Sequence, residues 1–92
     1  MKRIEKECLA ACEGYRLQYR LLSEHNKYLI QCVAFENNGR LVSQYCTNII
    51  SSNRKDASAF FQLLVDNCVF PVHIPEILYD YSIQESPYFF SA

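Results

Sequence analysis

Tyr28-Leu29-Ile30-Gln31-Cys32-Val33-Ala34-Phe35-Glu36-Asn37-Asn38-Gly39-Arg40-Leu41-Val42 (YLIQCVAFENNGRLV) carries the clearest local signal in the chain. Asn38-Gly39 suits a two-residue type I′ turn, which needs positive φ at both central residues. Tyr28 to Phe35 is rich in β-forming residues, and both of its faces are fairly apolar, as in a central strand. With Asn38-Gly39 as the loop, Asn37 faces Arg40, Phe35 faces Val42 and Cys32 faces Tyr45. Leu41 to Ile50 then forms the following strand.

Working upstream, Ser23-Glu24-His25-Asn26-Lys27 interrupts the pattern with turn-forming residues. Before it, Tyr15, Leu17, Tyr19 and Leu21 alternate with Arg16, Gln18 and Arg20, the period of a strand with one wet face. Residues 15–50 therefore read as a three-stranded antiparallel β-meander. In residues 1–14 the spacing of Ile4, Cys8, Ala11 and Cys12 matches a helix, and Gly14 stands where a left-handed C-terminal cap is wanted. A short N-terminal helix is the expectation, one that must dock to be stable.

Downstream, residues 52–82 read as a helical pair. Ser51-Ser52-Asn53 offers N-caps, and Asp56 lies in the first turn, where the helix dipole favours an acid. Ala57, Phe60, Phe61, Leu64 and Cys68 mark one face. Burying Phe60, Phe61 and Leu64 contributes about 5–9 kcal/mol before conformational entropy is set against it. Val69 to Val72 is expected to run extended around Pro71. The second helix begins near Pro75, which the first turn tolerates, with Ile74, Ile77, Leu78 and Tyr81 on its apolar face. Residues 83–92 read as an aromatic tail. The fold class is thus α+β, a single domain over 1–82 with the helices on one face of the sheet.

Composition narrows the function classes. The chain has 92 residues, 50% of them hydrophobic, a net charge of −1 and a pI near 6.1, so no positive field concentrates nucleic acid. No apolar run is long enough to span a bilayer. Met1 leads straight into Lys-Arg-Ile-Glu-Lys-Glu, so no secretory leader is read. The five cysteines form no CxxC pair, and a reducing cytoplasm is the expected compartment.

Candidate chemistry is sparse. His73 stands between Pro71 and Pro75, and Asp80 is two helical turns further on, about 10 Å along the axis, so the local sequence builds no catalytic dyad. Pro71, His73 and Pro75 are therefore read as a structural turn. Cys8 and Cys12 share a helical face but lack the second ligand pair of a structural zinc site. With only Gly14 and Gly39 in the chain, no glycine-rich loop cradles phosphate. No catalytic residue, metal ligand or cofactor is assigned. Tyr88, Phe89 and Phe90 form an aromatic cluster that is costly to leave in water, and they are the candidate partner-binding residues.

Tyr28-Leu29-Ile30, a serine-capped helix ending in Leu63-Leu64, and Pro71-Val72-His73-Ile74 leading into Ile77-Leu78-Tyr79-Asp80 carry a resemblance. Over about residues 15–81 the chain resembles a small bacterial domain-of-unknown-function family found mainly in Firmicutes. It departs from that family in carrying Pro75, and in having Leu29 where a small glycine is usual. The resemblance implies the α+β fold and a bacterial cytosolic setting, with no activity attached.

The expectation is a non-enzymatic protein-interaction or regulatory module, with a protein partner or a second copy of itself (a homodimer) as its occupant. The alternative is a small-ligand- or metal-binding domain using His73 with Cys68 or Tyr79.

Overall fold

The structure, a computed structural model, describes residues 2–84. Four strands, β1 (Arg3–Cys12), β2 (Tyr15–Glu24), β3 (Lys27–Glu36) and β4 (Leu41–Cys46), form one antiparallel sheet in the order β1-β2-β3-β4. Helices α1 (Arg54–Asp66) and α2 (Ile74–Gln84) follow, with a 3-10 turn at Pro71–His73 running directly into α2.

The N-terminal segment corrects the sequence reading: it is a strand rather than a helix, and the meander has four strands rather than three. Cys8 and Cys12 lie four apart, a spacing that puts two side chains on one face of a helix or of a strand. Here Cys8, Ala10 and Cys12 pack against the core at every second position, pairing with Tyr19, Leu17 and Tyr15. The period of two is present, but it is written in small side chains. Gly14 does take positive φ (87°), but beside Glu13 (φ 49°) in the turn joining β1 to β2 rather than as a helix cap. Positive φ at both residues is the type I′ pattern, whose twist matches that of the strands it joins.

His25 (φ 54°) and Asn26 (φ 61°) repeat this device between β2 and β3. The β3–β4 connection differs from the expected Asn38-Gly39 loop. The Gly39 N–H donates to the Glu36 carbonyl at 2.9 Å, the Glu36 N–H donates to the Arg40 carbonyl at 2.8 Å, and Gly39 has φ 92°. This is a three-residue loop whose last residue is left-handed. The register then shifts between Ala34 and Phe35, so Phe35 faces Leu41 rather than Val42, while Cys32 still faces Tyr45. Val42 is the extra residue of the bulge. The last strand also stops at Cys46 rather than Ile50. The Thr47 hydroxyl accepts the Ile30 N–H and the Thr47 N–H donates to the Ile30 carbonyl, both at 2.9 Å, and the chain meets β3 again at the Tyr28–Ser51 bridge.

One face of the sheet is covered. Leu17, Tyr19 and Leu21 from β2, and Ile30, Cys32 and Ala34 from β3, meet Ala57, Phe60, Phe61 and Leu64 of α1 and Ile74 and Leu78 of α2. The Tyr19 hydroxyl donates to the Val69 carbonyl at 2.9 Å, which joins the middle of the sheet to the segment between the helices. Of the three candidate caps, Asn53 is the one used: its side chain accepts the Asp56 N–H at 3.1 Å. Phe70 is extended as expected, but Pro71, Val72 and His73 are helical. Ile83 and Gln84, read as the start of the tail, complete α2. The candidate partner-binding residues Tyr88, Phe89 and Phe90 lie outside the described residues.

Candidate functional site

Two places among the described residues combine chemistry with access. The first is the outer edge of β1. In a two-residue hairpin the residues flanking the turn, here Cys12 and Tyr15, exchange main-chain hydrogen bonds, and alternate residues back along the strand do the same. Ala10 and Cys8 therefore bond toward β2, while the N–H and C=O groups of Leu9 and Ala11 point away from the sheet. Edge strands are usually guarded by charge, lysine or a bulge. The first half of β1 has all three: Arg3, Glu5, Lys6 and Glu7, with a register shift between Ile4 and Lys6. Its second half, Cys8-Leu9-Ala10-Ala11-Cys12, has none.

The two halves also differ in their ties to the helices. The Ser23 hydroxyl donates to Glu5 at 2.6 Å, Arg54 pairs with Glu5 at 3.5 Å, and Lys6 Nζ donates to the Ser58 hydroxyl at 2.5 Å. The Ser23 hydrogen bond, helped by the charges of Arg3 and Arg54, holds the Glu5 carboxyl below its usual range. On the uncovered face, Glu7 pairs with Arg20 at 2.6 Å. Beyond that pair the face turns apolar: Leu9 is 74% exposed and, with Ala11, Arg16, Gln18 and Phe35, borders a depression of about 490 Å³.

The second place is a cavity of about 520 Å³ where the end of β1 meets the corner between α1 and α2. Its walls include Cys12, Glu13, Cys68, Phe70 and His73. Cys68 sits just past the end of α1 with φ 48°. Its N–H reaches the Val65 carbonyl at 3.2 Å, and the Val69 N–H reaches that of Leu64 at 3.1 Å. That is the Schellman arrangement, in which glycine or asparagine normally takes the left-handed position. Burial first, and the Cys68 thiol second, raise the Cys12 thiol above its ordinary range.

The sequence-derived residues distribute as follows. Pro71 is buried, Pro75 half-buried and His73 exposed; His73 ties the corner through its main-chain N–H, which donates to the Phe70 carbonyl at 3.0 Å. Cys68 and His73 share the cavity, whereas Tyr79 is not on its wall and is 54% exposed. Among the described residues no group of three or more His, Cys, Asp or Glu side chains is placed to hold a metal ion, and no buried side-chain polar atom lacks a partner.

A family model matches residues 1–84. The chain belongs to the DUF6514 family, a family of unknown function. The DUF6514 match takes in β1 as well as the region from residue 15 onward, so the first strand is part of the family's domain. No curated protein and no solved structure matches the chain.

The β1 edge and the cavity shared by Cys12 and Cys68 went unread in the sequence because both depend on β1 being a strand. The available signal was the change from the charged Arg3-Ile4-Glu5-Lys6-Glu7 to the uncharged Cys8-Leu9-Ala10-Ala11-Cys12. No described helix is long and apolar enough to cross a membrane.

Proposed function

We propose that this DUF6514 domain is a non-enzymatic interaction module that works by strand addition at the outer edge of β1, with a second copy of the chain as its occupant. The observation that carries the reading is the unguarded half-strand Cys8–Cys12, whose outward main-chain groups belong to Leu9 and Ala11. Self-pairing about Ala10 sets Leu9 opposite Ala11 of the other copy and Cys8 opposite its Cys12. Each outward N–H then meets a carbonyl, and no like charges face one another within the paired segment. A chain of 92 residues has a small core, and an eight-stranded sheet across a two-fold axis adds buried apolar area around Leu9. A bacterial cytosol suits the reading, since a reducing compartment keeps cysteines at this edge as thiols.

Sedimentation of the full chain tests the reading. A dimer that becomes a monomer in Leu9→Lys supports it, as does the same change in Leu9→Pro, which removes an outward N–H and no bond to β2. A wild-type monomer at high concentration overturns it. So does a dimer that survives Leu9→Lys and is lost on deleting residues 85–92, which would assign the contact to the segment containing Tyr88, Phe89 and Phe90.

A further inference from the structure

Four of the five cysteines, Cys8, Cys12, Cys32 and Cys68, lie near the covered face of the sheet, and they are not equivalent. Cys32 is fully buried, and burial pushes its thiol up to about 12, which leaves almost no thiolate to react. Cys8 turns its thiol to its neighbour's carbonyl, that of Leu9. Cys46 is exposed on β4. Cys12 and Cys68 are different. They come from distant parts of the chain, each is part-exposed, the Cys68 thiol is among the groups that raise that of Cys12, and both line one solvent-open cavity.

A second observation concerns Cys68 alone. Its left-handed backbone (φ 48°) closes the end of α1, a position that glycine or asparagine fills with less strain. A strained non-glycine residue points to a use for its side chain. In this case the strained residue lines the same cavity as Cys12.

We propose that Cys12 and Cys68 form a reversible disulfide site, oxidised by a low-molecular-weight disulfide that reaches them through this cavity. The thiol of one cysteine loses its proton to solvent, and the resulting thiolate attacks one sulfur of the small disulfide. The small molecule's S–S bond breaks, and one of its halves leaves as a thiolate. The second cysteine, deprotonated in turn, attacks the mixed disulfide, forms the Cys12–Cys68 bond and expels the other half. The protein gives up two electrons and two protons, and the small disulfide becomes two thiols.

The bond completes the attachment of β1. The Glu5–Arg54 pair and the Lys6–Ser58 hydrogen bond already tie the first half of β1 to the start of α1, and the disulfide ties the second half to the end of α1. The inference stands on the cavity that the two cysteines share, and it does not require that β1 receive a partner.

The test is to incubate the full reduced chain with oxidised glutathione and map its peptides without reduction. The expected result is an intramolecular link between the peptides carrying Cys12 and Cys68, a loss of about 2 Da from the chain, and reversal by dithiothreitol. The link persists in Cys46→Ser. In Cys12→Ser or Cys68→Ser it is replaced by a glutathione adduct on the remaining cysteine. A link that maps to any other pair, a bond between two chains, or glutathione adducts without a link in the wild-type chain overturns the proposal. Because the wild-type map decides it, a serine variant that fails to fold leaves the test intact.

Discussion

β1 and β2 are both ten residues long and are paired along nearly their whole length, yet they hold the fold in different ways. β2 turns Tyr15, Leu17, Tyr19 and Leu21 toward the helices, and Leu17, Tyr19 and Leu21 are completely buried. β1 presents Cys8, Ala10 and Cys12 to the same layer, and none of them is fully buried. The comparison teaches that a strand can be specified by its neighbour. β2 is ordered by its own apolar face, whereas β1 is ordered by the main-chain ladder β2 offers and by a turn of the right hand. A strand held in that way keeps an outer edge and a pair of accessible thiols, while β2 has both edges paired.

The sharpest way to test the contrast is to remove comparable groups from the two strands. Leu17→Ala empties a fully buried site and is expected to cost about 2–5 kcal/mol in urea unfolding. Cys8→Ala, on the same face of β1 but half-exposed, is expected to cost less than about 1 kcal/mol. Equal losses would mean that β1 contributes to the core as fully as β2.

Tyr19→Phe comes next in size. It keeps the ring packed against Phe61 (centroids 6.5 Å apart) and deletes only the hydrogen bond to the Val69 carbonyl. A loss of about 1 kcal/mol is expected, because a buried carbonyl gives up its strongest donor. An unchanged urea midpoint would show that the sheet and the interhelical segment are not coupled through that bond.

The buried row also sets a pH dependence that the edge strand shares only through Cys12. Burial raises the Cys32 thiol from an ordinary 9.0 to about 12, and burial likewise raises the Tyr19 hydroxyl. Both groups are held neutral in the fold, whereas in the unfolded chain Cys32 loses its proton first. Their contribution is fully present below about pH 9 and falls as the pH rises toward 12. Urea midpoints at about pH 8 and pH 10 should show that decline, and Cys32→Ala should make it shallower. An identical decline in the variant would place its origin elsewhere.

The smallest effect lies at the turn that aligns β1. Glu13 has φ 49°, a conformation asparagine tolerates better than glutamate. Glu13→Asn is expected to stabilise the protein by a few tenths of a kcal/mol, read as a small rise in Tm. A fall in Tm would mean that Glu13 is held by something other than turn geometry.

Several elements were legible in the sequence for identifiable reasons. The alternation of large residues from Tyr15 to Leu21 marked β2, and the β-formers from Tyr28 to Phe35 marked β3. The apolar face of α1 was equally plain, whereas its cap was narrowed only to Ser51, Ser52 or Asn53. β1 was not legible, because Cys and Ala are weak reporters of which face is buried and a spacing of four suits both periods. The bulge at Val42 was hidden because Asn38-Gly39 is compatible with a two-residue or a three-residue loop. The cavity shared by Cys12 and Cys68 was hidden for a related reason: it needs β1 as a strand and a non-glycine residue in the left-handed position after α1.

The sequence by itself determined the elements whose side chains carry their own signal: two central strands, the turn between them and an amphipathic helix. Only the tertiary structure decided what residues 3–12 become. Their local pattern is nearly neutral between helix and strand, and the unpaired edge of β2 supplies main-chain partners along almost their whole length. A free β2 edge would leave a row of buried-side N–H and C=O groups without partners, so the ladder outweighs a weak helical preference.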